Sequence, residues 1–341
     1  MSSTGSDDAA TLRAMIAGYE AAQALYVAAK LDLADLIARG TTSSRELADA
    51  TGSDETALHR ILRALASLGV LADVGNRRFE LTERGRYLQA AAPGSVRAAA
   101  LLAGERSYRA WGGLLHSVQR GQTAFEHVFG MGTFEYMAQN PAVAAIYNDA
   151  MSASSAARAA GVVRAYDFSS FRVVADVGGG HGTLLAAILR ANPGVKGILL
   201  ERPSLAPGID RLLGDAGVAA RCQVVTGDFF QSVPAGADAY VLSHIIHNWD
   251  DARSEVILRN CRAAMAPAGR LLLLEQVIPE RVEASAAGQR GVMADLHMMV
   301  ITGGRERTEM EYSALLSSAG FRLRRVIGTP VAESVIEAVP E

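Results

Sequence analysis

The run Ser243-His-Ile-Ile-His-Asn-Trp-Asp-Asp, residues 243–251, sets two imidazoles three residues apart and follows them with paired carboxylates. Two chemistries use such a set. His244 and His247 could ligate a metal together with Asp250 and Asp251, since imidazole nitrogens and carboxylate oxygens are common zinc ligands. No further His or Cys stands close in the sequence, and Asp250-Asp251 reads as the cap of the next helix. The other chemistry is general base catalysis. A phenol-type hydroxyl, with a pKa of about 10, is a poor nucleophile at neutral pH, and a neutral imidazole of pKa about 6.5 can take its proton. Such a base needs a carboxylate on its other ring nitrogen to fix tautomer and orientation. Glu275, which closes the apolar run Leu271-Leu-Leu-Leu, is one candidate, and Glu306 in Gly303-Gly-Arg-Glu-Arg-Thr is a second.

A second constellation is acidic. Asp176 precedes Gly178, Gly180 and Gly182 in Val173-Val-Ala-Asp-Val-Gly-Gly-Gly-His-Gly-Thr. A strand running into glycines and then a helix lets the backbone turn sharply and approach a ligand. Thr183 stands where the dinucleotide fingerprint has Gly or Ala. Asp176 would repel a pyrophosphate and attract a sulfonium or ammonium. Glu201 closes the next strand, where an acid can accept from both ribose hydroxyls. Asp228, in Gly227-Asp-Phe-Phe, ends the third; there it can accept from an adenine amino group while Phe229 lies against the ring. One such acid is compatible with a solvated strand end. Three at successive carboxyl ends, the edge where open sheets bind ligands, point to a cationic nucleoside.

These residues need a frame. From Phe171 onward, apolar strand candidates (172–177, 197–200, 223–226, 239–242 and 270–276) alternate with helical segments (184–191 and 252–265), which predicts a parallel, doubly wound α/β sheet. A helix over 308–319 precedes two closing strands, 322–327 and 334–338, expected as an antiparallel pair at the sheet edge. The first 90 residues differ. Helices are expected from Arg45 to Ala50 and again after Ser53-Asp54-Glu55, followed by a hairpin over 70–81 with Gly75-Asn76 at its tip. Helix, helix and hairpin in that order predict a winged helix. Residues 1–100 carry 11 Lys+Arg against 12 Asp+Glu, so packing or dimerisation is favoured over DNA binding. The predicted division is 1–95, a helical connector over 96–165 containing Trp111, Tyr147 and Met151, and a catalytic domain over 166–341.

Composition narrows the classes further. The chain has 341 residues, half of them hydrophobic, and a net charge of -3, which gives no general attraction to nucleic acid or an anionic membrane. Two cysteines, Cys222 and Cys261, build no disulfide framework, and a reducing cytoplasm is expected. Residues 1–10 are polar and acidic, so no signal peptide is expected, and no apolar run reaches a membrane-spanning length.

Taken together, the Asp176–Gly182 loop, Gly227-Asp-Phe-Phe, His247-Asn-Trp-Asp-Asp and Gly303-Gly-Arg-Glu-Arg-Thr resemble the motifs of plant-type small-molecule O-methyltransferases and their bacterial secondary-metabolite relatives, over nearly the whole chain. The resemblance implies a metal-independent homodimer using S-adenosyl-L-methionine, with transfer to a hydroxyl of a small aromatic compound. It implies that His247, not His244, is the base, flanked by Glu275 and Glu306; the residues between the two histidines place His244 on a different face of the loop. It assigns Gly178, Gly180, Glu201, Asp228, Phe229 and Ser243, with Asp176, to the donor. Met151, Asn248 and Met298 are taken as acceptor contacts. Two positions depart from the family pattern: Asn248 replaces a frequent Asp, and Ser243 stands where plant members have a donor-contacting Lys. N- or C-methylation on the same scaffold is the alternative within the class. A donor-sensing regulator is the alternative outside it.

Overall fold

A computed structural model describes residues 4–203 and 206–341, so residues 1–3 of the N-terminal reading lie outside the described residues. The chain forms two units, Met1–Gly112 with Phe134–Ala153, and Gly113–Thr133 with Ser154–Glu341.

The first unit is helical with one hairpin. Ser43 caps the helix Ser44–Thr51 through a reciprocal capping box with Glu46, and Asp54 caps Glu55–Ser67 by accepting from the Ala57 amide. Each cap contributes about 1 kcal/mol. The apolar face read from the sequence, Leu58, Leu62 and Leu65, is buried with Leu33, Leu47 and Phe79. Strands β1 (Leu71–Gly75) and β2 (Arg78–Leu81) pair antiparallel. Gly75 pairs with Arg78, so the tip is Asn76-Arg77, one residue later than expected, and both have positive φ. Arg77 keeps that uncommon conformation because its carbonyl accepts from Ser44 and its guanidinium reaches Ser44 Oγ and Glu55.

The second unit is built on a seven-stranded sheet: β3 (Val173–Val177), β4 (Lys196–Glu201), β5 (Cys222–Thr226), β6 (Ala239–Ser243), β7 (Arg270–Glu275), β8 (Phe321–Gly328) and β9 (Ser334–Pro340). The spatial order is β5-β4-β3-β6-β7-β9-β8, with β3 to β7 parallel and β9 antiparallel to both neighbours. Central strands are buried almost end to end, as a sheet covered on both faces requires. One core layer includes Tyr240, Leu242, Ile257, Leu273 and Leu316; the other includes Val174, Leu185, Leu199, Val241 and Leu272. Strand order reverses between β3 and β6, which opens a crevice at their carboxyl ends. The glycine loop follows β3 and the histidine loop follows β6, so the two chemical constellations share that crevice.

Among the described residues, no helix is long and apolar enough to cross a membrane.

Candidate active site

On the donor side, the loop after β3 is held from β4. Glu201 Oε2 accepts from the Gly180 amide at 3.0 Å and Oε1 from the Arg202 amide at 2.8 Å. Gly178 takes φ +72°, and a Cβ there would stand 2.8 Å from Ile245 Cδ1 and 3.2 Å from Phe229 Cε1. These two side chains therefore edge a cradle whose floor is backbone. Asp176 lies behind that floor: it is 1% exposed, and a Cβ on Gly179 would sit 2.3 Å from its Oδ2. Neither of its oxygens has a hydrogen bond of normal geometry. Burial, then the charge of Glu201, pushes its carboxyl up to about 7, with the Leu185 amide opposing. The result is a buried acid short of positive charge behind a glycine cradle, which suits a cationic ligand and disfavours a pyrophosphate. Asp228 is exposed at the end of β5 and turns the chain by accepting from the Phe230 amide at 2.9 Å. Asn260 Nδ2 donates to the Phe229 carbonyl, which fixes that ring's backbone. Ser243 ends β6, half-buried, opposite Leu274.

On the catalytic side, His247 is 8% exposed and its Nδ1 lies 2.9 Å from Glu306 Oε1 and 3.5 Å from Glu275 Oε2. With carboxylates at Nδ1, the neutral ring carries its proton there and keeps the Nε2 lone pair. Burial opposes charge on this imidazole, but the charge of Glu275, then the hydrogen bond and charge of Glu306, outweigh it; the pKa lies above the ordinary value, with Arg158 opposing. Glu275 has a further task. Its Oε1 accepts from the amides of Ile245 and Ile246 at 3.0 and 2.8 Å, anchoring the loop that carries the histidines.

The loop is clamped from the other flank by residues the sequence reading did not single out. Arg307 is fully buried; its guanidinium donates to the carbonyls of Ile246 and Trp249 and pairs with Asp251 at 2.8 Å. Arg305 also meets Asp251, at 2.7 Å. Asp250 is the helix cap, accepting from Arg253, so the adjacent acids divide into a cap and an ion-pair partner. The motif Gly303-Gly-Arg-Glu-Arg-Thr is thus a counterpart of His247-Asn-Trp-Asp-Asp. Gly304 makes the fit possible, since a Cβ there would stand 2.0 Å from the His247 carbonyl oxygen.

His244 departs from expectation. Its φ is +55°, rare for a residue with a Cβ. That turn brings its ring to 5.0 Å from the His247 ring, edge to face, rather than to a separate side of the loop. Glu333, just before β9, holds His244 Nε2 at 2.9 Å, and Asn248 Nδ2 donates to the His244 carbonyl. Nothing in the local sequence signals Glu333. Ligand-type atoms of His244, His247 and Glu275 lie within 4.8 Å of one another, so a metal reading has a geometry to test. Met298 is half-buried on the helix Ala286–Ile301, and Met151 belongs to the first unit.

The chain matches two family models, an O-methyltransferase domain over residues 111–322 and an O-methyltransferase dimerisation domain over residues 14–90. It is 45% identical to a phenazine O-methyltransferase of Lysobacter antibioticus, over 96% of this chain and 94% of that protein. It is 40% identical to an O-demethylpuromycin O-methyltransferase of Streptomyces alboniger, over 96% and 88%. A phenazine-1-carboxylate N-methyltransferase of Pseudomonas aeruginosa is 34% identical over 95% of both chains. Among solved structures, the crystal structure of LaPhzM is similar with a TM-score of 0.92 at 44% identity, covering 98% of this chain and 99% of that one. An O-methyltransferase from neocarzinostatin biosynthesis, in complex with S-adenosylmethionine and 2-hydroxy-5-methyl naphthoic acid, is similar with a TM-score of 0.84 at 33% identity over 94% and 96%. This chain belongs to the O-methyltransferase family whose members join a dimerisation domain to a methyltransferase domain.

Proposed function

We propose that the protein methylates a hydroxyl of a small aromatic metabolite with S-adenosyl-L-methionine, His247 serving as base. The observation that carries this reading is the pairing of His247 Nδ1 with Glu306, with Glu275 beside it, which leaves Nε2 to accept a proton. When bound, the donor supplies an electrophilic methyl carbon on a sulfonium. Gly178, Gly180, Glu201, Asp228, Phe229 and Ser243 would hold it in the crevice between β3 and β6. Asp176 would act from behind the loop, through its packing against Gly179. His247 Nε2 takes the hydroxyl proton, and Glu306 and Glu275 stabilise the imidazolium that results. Asn248 and Met298 are proposed acceptor contacts. Alignment of acceptor oxygen and methyl carbon is worth up to roughly 7–11 kcal/mol in favourable cases, and the base adds about 100- to 10,000-fold.

The phenazine-1-carboxylate N-methyltransferase at 34% identity makes N-transfer the second reading. Labelled donor offered to paired hydroxy- and amino-aromatic acceptors separates the two. Label in a methoxy product, insensitive to chelators, is the expected result. Label on nitrogen alone would replace the O-transfer reading, and chelator-sensitive turnover restored by a divalent ion would replace the metal-free one.

We infer a homodimer built mainly by residues 10–100, a stretch that includes the dimerisation-domain match over 14–90. Leu12, Met15 and Ile16 on the helix Thr4–Ile16 and Tyr19 on the helix Gly18–Lys30 are exposed apolar side chains that a second copy would cover. The division at about residues 95 and 165 and a reducing cytoplasm, compatible with free Cys222 and Cys261, belong to the same proposal.

A further inference from the structure

The chemistry above leaves His244 without a task, although a carboxylate holds its ring as carboxylates hold the base. Its Nε2 lies 2.9 Å from Oε1 of Glu333, a residue 6% exposed, and the same oxygen meets Arg158 Nε at 3.9 Å. Burial opposes charge on Glu333, but the hydrogen bond and charge of His244, then its own backbone and Arg158, outweigh it and hold the carboxyl below its ordinary range. With a carboxylate at Nε2, the neutral His244 ring carries its proton there and keeps a lone pair on Nδ1. Among the described residues none hydrogen-bonds that Nδ1, and the side chain is 22% exposed. His247 is arranged the other way round, with carboxylates at Nδ1 and the lone pair on Nε2. The two rings stand 5.0 Å apart, and an imidazole nitrogen of one lies within 4.8 Å of a nitrogen of the other.

The backbone is committed to this placement. A φ of +55° is strained for a residue with a Cβ, and such conformations cluster at functional sites. Asn248 Nδ2 donates to the His244 carbonyl at 2.8 Å, and the His244 amide donates to the Leu274 carbonyl at 3.1 Å. Glu333 is placed in turn by the link between β8 and β9, where the Thr329 hydroxyl donates to the Glu333 carbonyl at 2.6 Å. His244, His247, Arg158 and Glu333 all belong to the second unit. A strained backbone, a buried carboxylate given to one nitrogen and an open second nitrogen beside the base make an acceptor of hydrogen bonds for a bound molecule.

We propose that His244, held by Glu333, is a second acceptor-recognising group, which selects aromatic acceptors carrying a hydroxyl next to the one that is methylated. The methylated hydroxyl gives its proton to His247 Nε2, while the neighbouring hydroxyl keeps its own and donates to His244 Nδ1. The inference rests on the reading that His247 faces the acceptor hydroxyl, and it is read by binding, so its outcome is separable from that of turnover.

Calorimetry on the full chain saturated with S-adenosyl-L-homocysteine, comparing 2,3-dihydroxynaphthalene, 2,6-dihydroxynaphthalene and 2-naphthol, tests it. The 2,3-diol is expected to bind at least about fivefold more tightly than the other two, the gain from one further hydrogen bond. His244→Phe, which keeps a ring against His247 but has no nitrogen, should bring all three within about twofold. His244→Asn, which tolerates the left-handed backbone and keeps a polar group close to the Nδ1 position, should restore part of the preference. Equal binding of the three by the unsubstituted protein overturns the proposal, as does binding of none, and as does a folded His244→Phe protein that keeps the preference. If His244→Phe fails to fold, His244→Gly, which is unstrained at positive φ, decides in its place: loss of the preference supports the proposal and retention overturns it. Labelled donor separates the two readings. Methoxy product formed with no preference for the 2,3-diol overturns this proposal and keeps O-transfer, whereas selective binding of the 2,3-diol without methoxy product keeps this proposal and removes O-transfer.

Discussion

The two loops that meet at the crevice are held in different ways. The donor loop after β3 is fixed by short-range devices: glycines, a strand-to-helix turn, and Glu201 on the neighbouring strand accepting from Gly180. The catalytic loop after β6 is fixed by distant ones. Glu275 arrives from β7, Glu306 and Arg307 from a segment some sixty residues on, and Glu333 from the approach to β9. A cradle for a ligand can be written into contiguous sequence, because backbone conformation makes it. A base with a defined tautomer cannot, because its orienting carboxylates must come from elsewhere in the fold.

Two glycine substitutions break this comparison from opposite sides. Gly304→Ala drives a Cβ into the backbone of the catalytic loop at 2.0 Å. Displacing His247 on this scale should lower kcat by at least about 100-fold. Donor affinity, from calorimetry with S-adenosyl-L-homocysteine, is expected to change less than about threefold. Gly178→Ala meets only the flexible end of Ile245 and the Phe229 ring edge, although at a positive φ. Its effect should be reversed in kind: donor KM raised about tenfold, for a penalty of about 1–2 kcal/mol, with kcat nearly kept. Steady-state kinetics with donor and acceptor varied separately distinguish the outcomes, and a matching kcat loss in both variants would erase the division of labour.

Glu306→Gln sharpens the catalytic half. It removes a hydrogen-bonding carboxylate that raises the His247 pKa and leaves the burial that lowers it. The rate, which rises with pH as the imidazole becomes neutral, should therefore reach its plateau at a lower pH than in the unsubstituted enzyme. The plateau itself should be about tenfold lower, because a less basic imidazole takes the proton less readily. An unchanged inflection would mean that Glu306 only packs.

The smallest effect on turnover is expected from Asp176→Asn, and it should appear in stability. Folding raises this carboxyl from about 3.8 to about 7. The folded state therefore favours the protonated acid. That contribution is complete below the unfolded pKa and is lost as pH rises through 7. Asparagine cannot ionise, so the variant should match the parent near pH 3.5 and exceed it by up to about 4 kcal/mol at pH 8. Urea titrations at the two pH values measure this. Equal stability of the two proteins at pH 8 would place the acid in a less costly setting than its burial implies.

Much of this was legible beforehand. Each strand of the large sheet was read to within about two residues, the central ones because buried parallel strands are continuous apolar runs. The capping residues Asp54 and Asp250 were readable from their side chains and position, whereas Thr308, expected inside its helix, is the cap. The hairpin tip slipped by one, since Gly75 pairs with Arg78 across a register shift and leaves Asn76-Arg77 as the tip. Arg307 carried a signal in retrospect: two arginines in one motif and two acids in another call for pairing. His244 carried none. Its placement beside His247 depends on a positive φ and on Glu333, 89 residues away, neither of which spacing reveals.

The central claim is that His247 takes the acceptor's proton, and the His247→Ala protein tests it most directly. With a phenolic acceptor at saturating donor, its turnover should fall by about two to four orders of magnitude. Its affinity for S-adenosyl-L-homocysteine should stay within about twofold of the parent, and its pH–rate profile should lose the imidazole inflection. A variant that retains most of its turnover, with the same pH profile as the parent, would contradict the account.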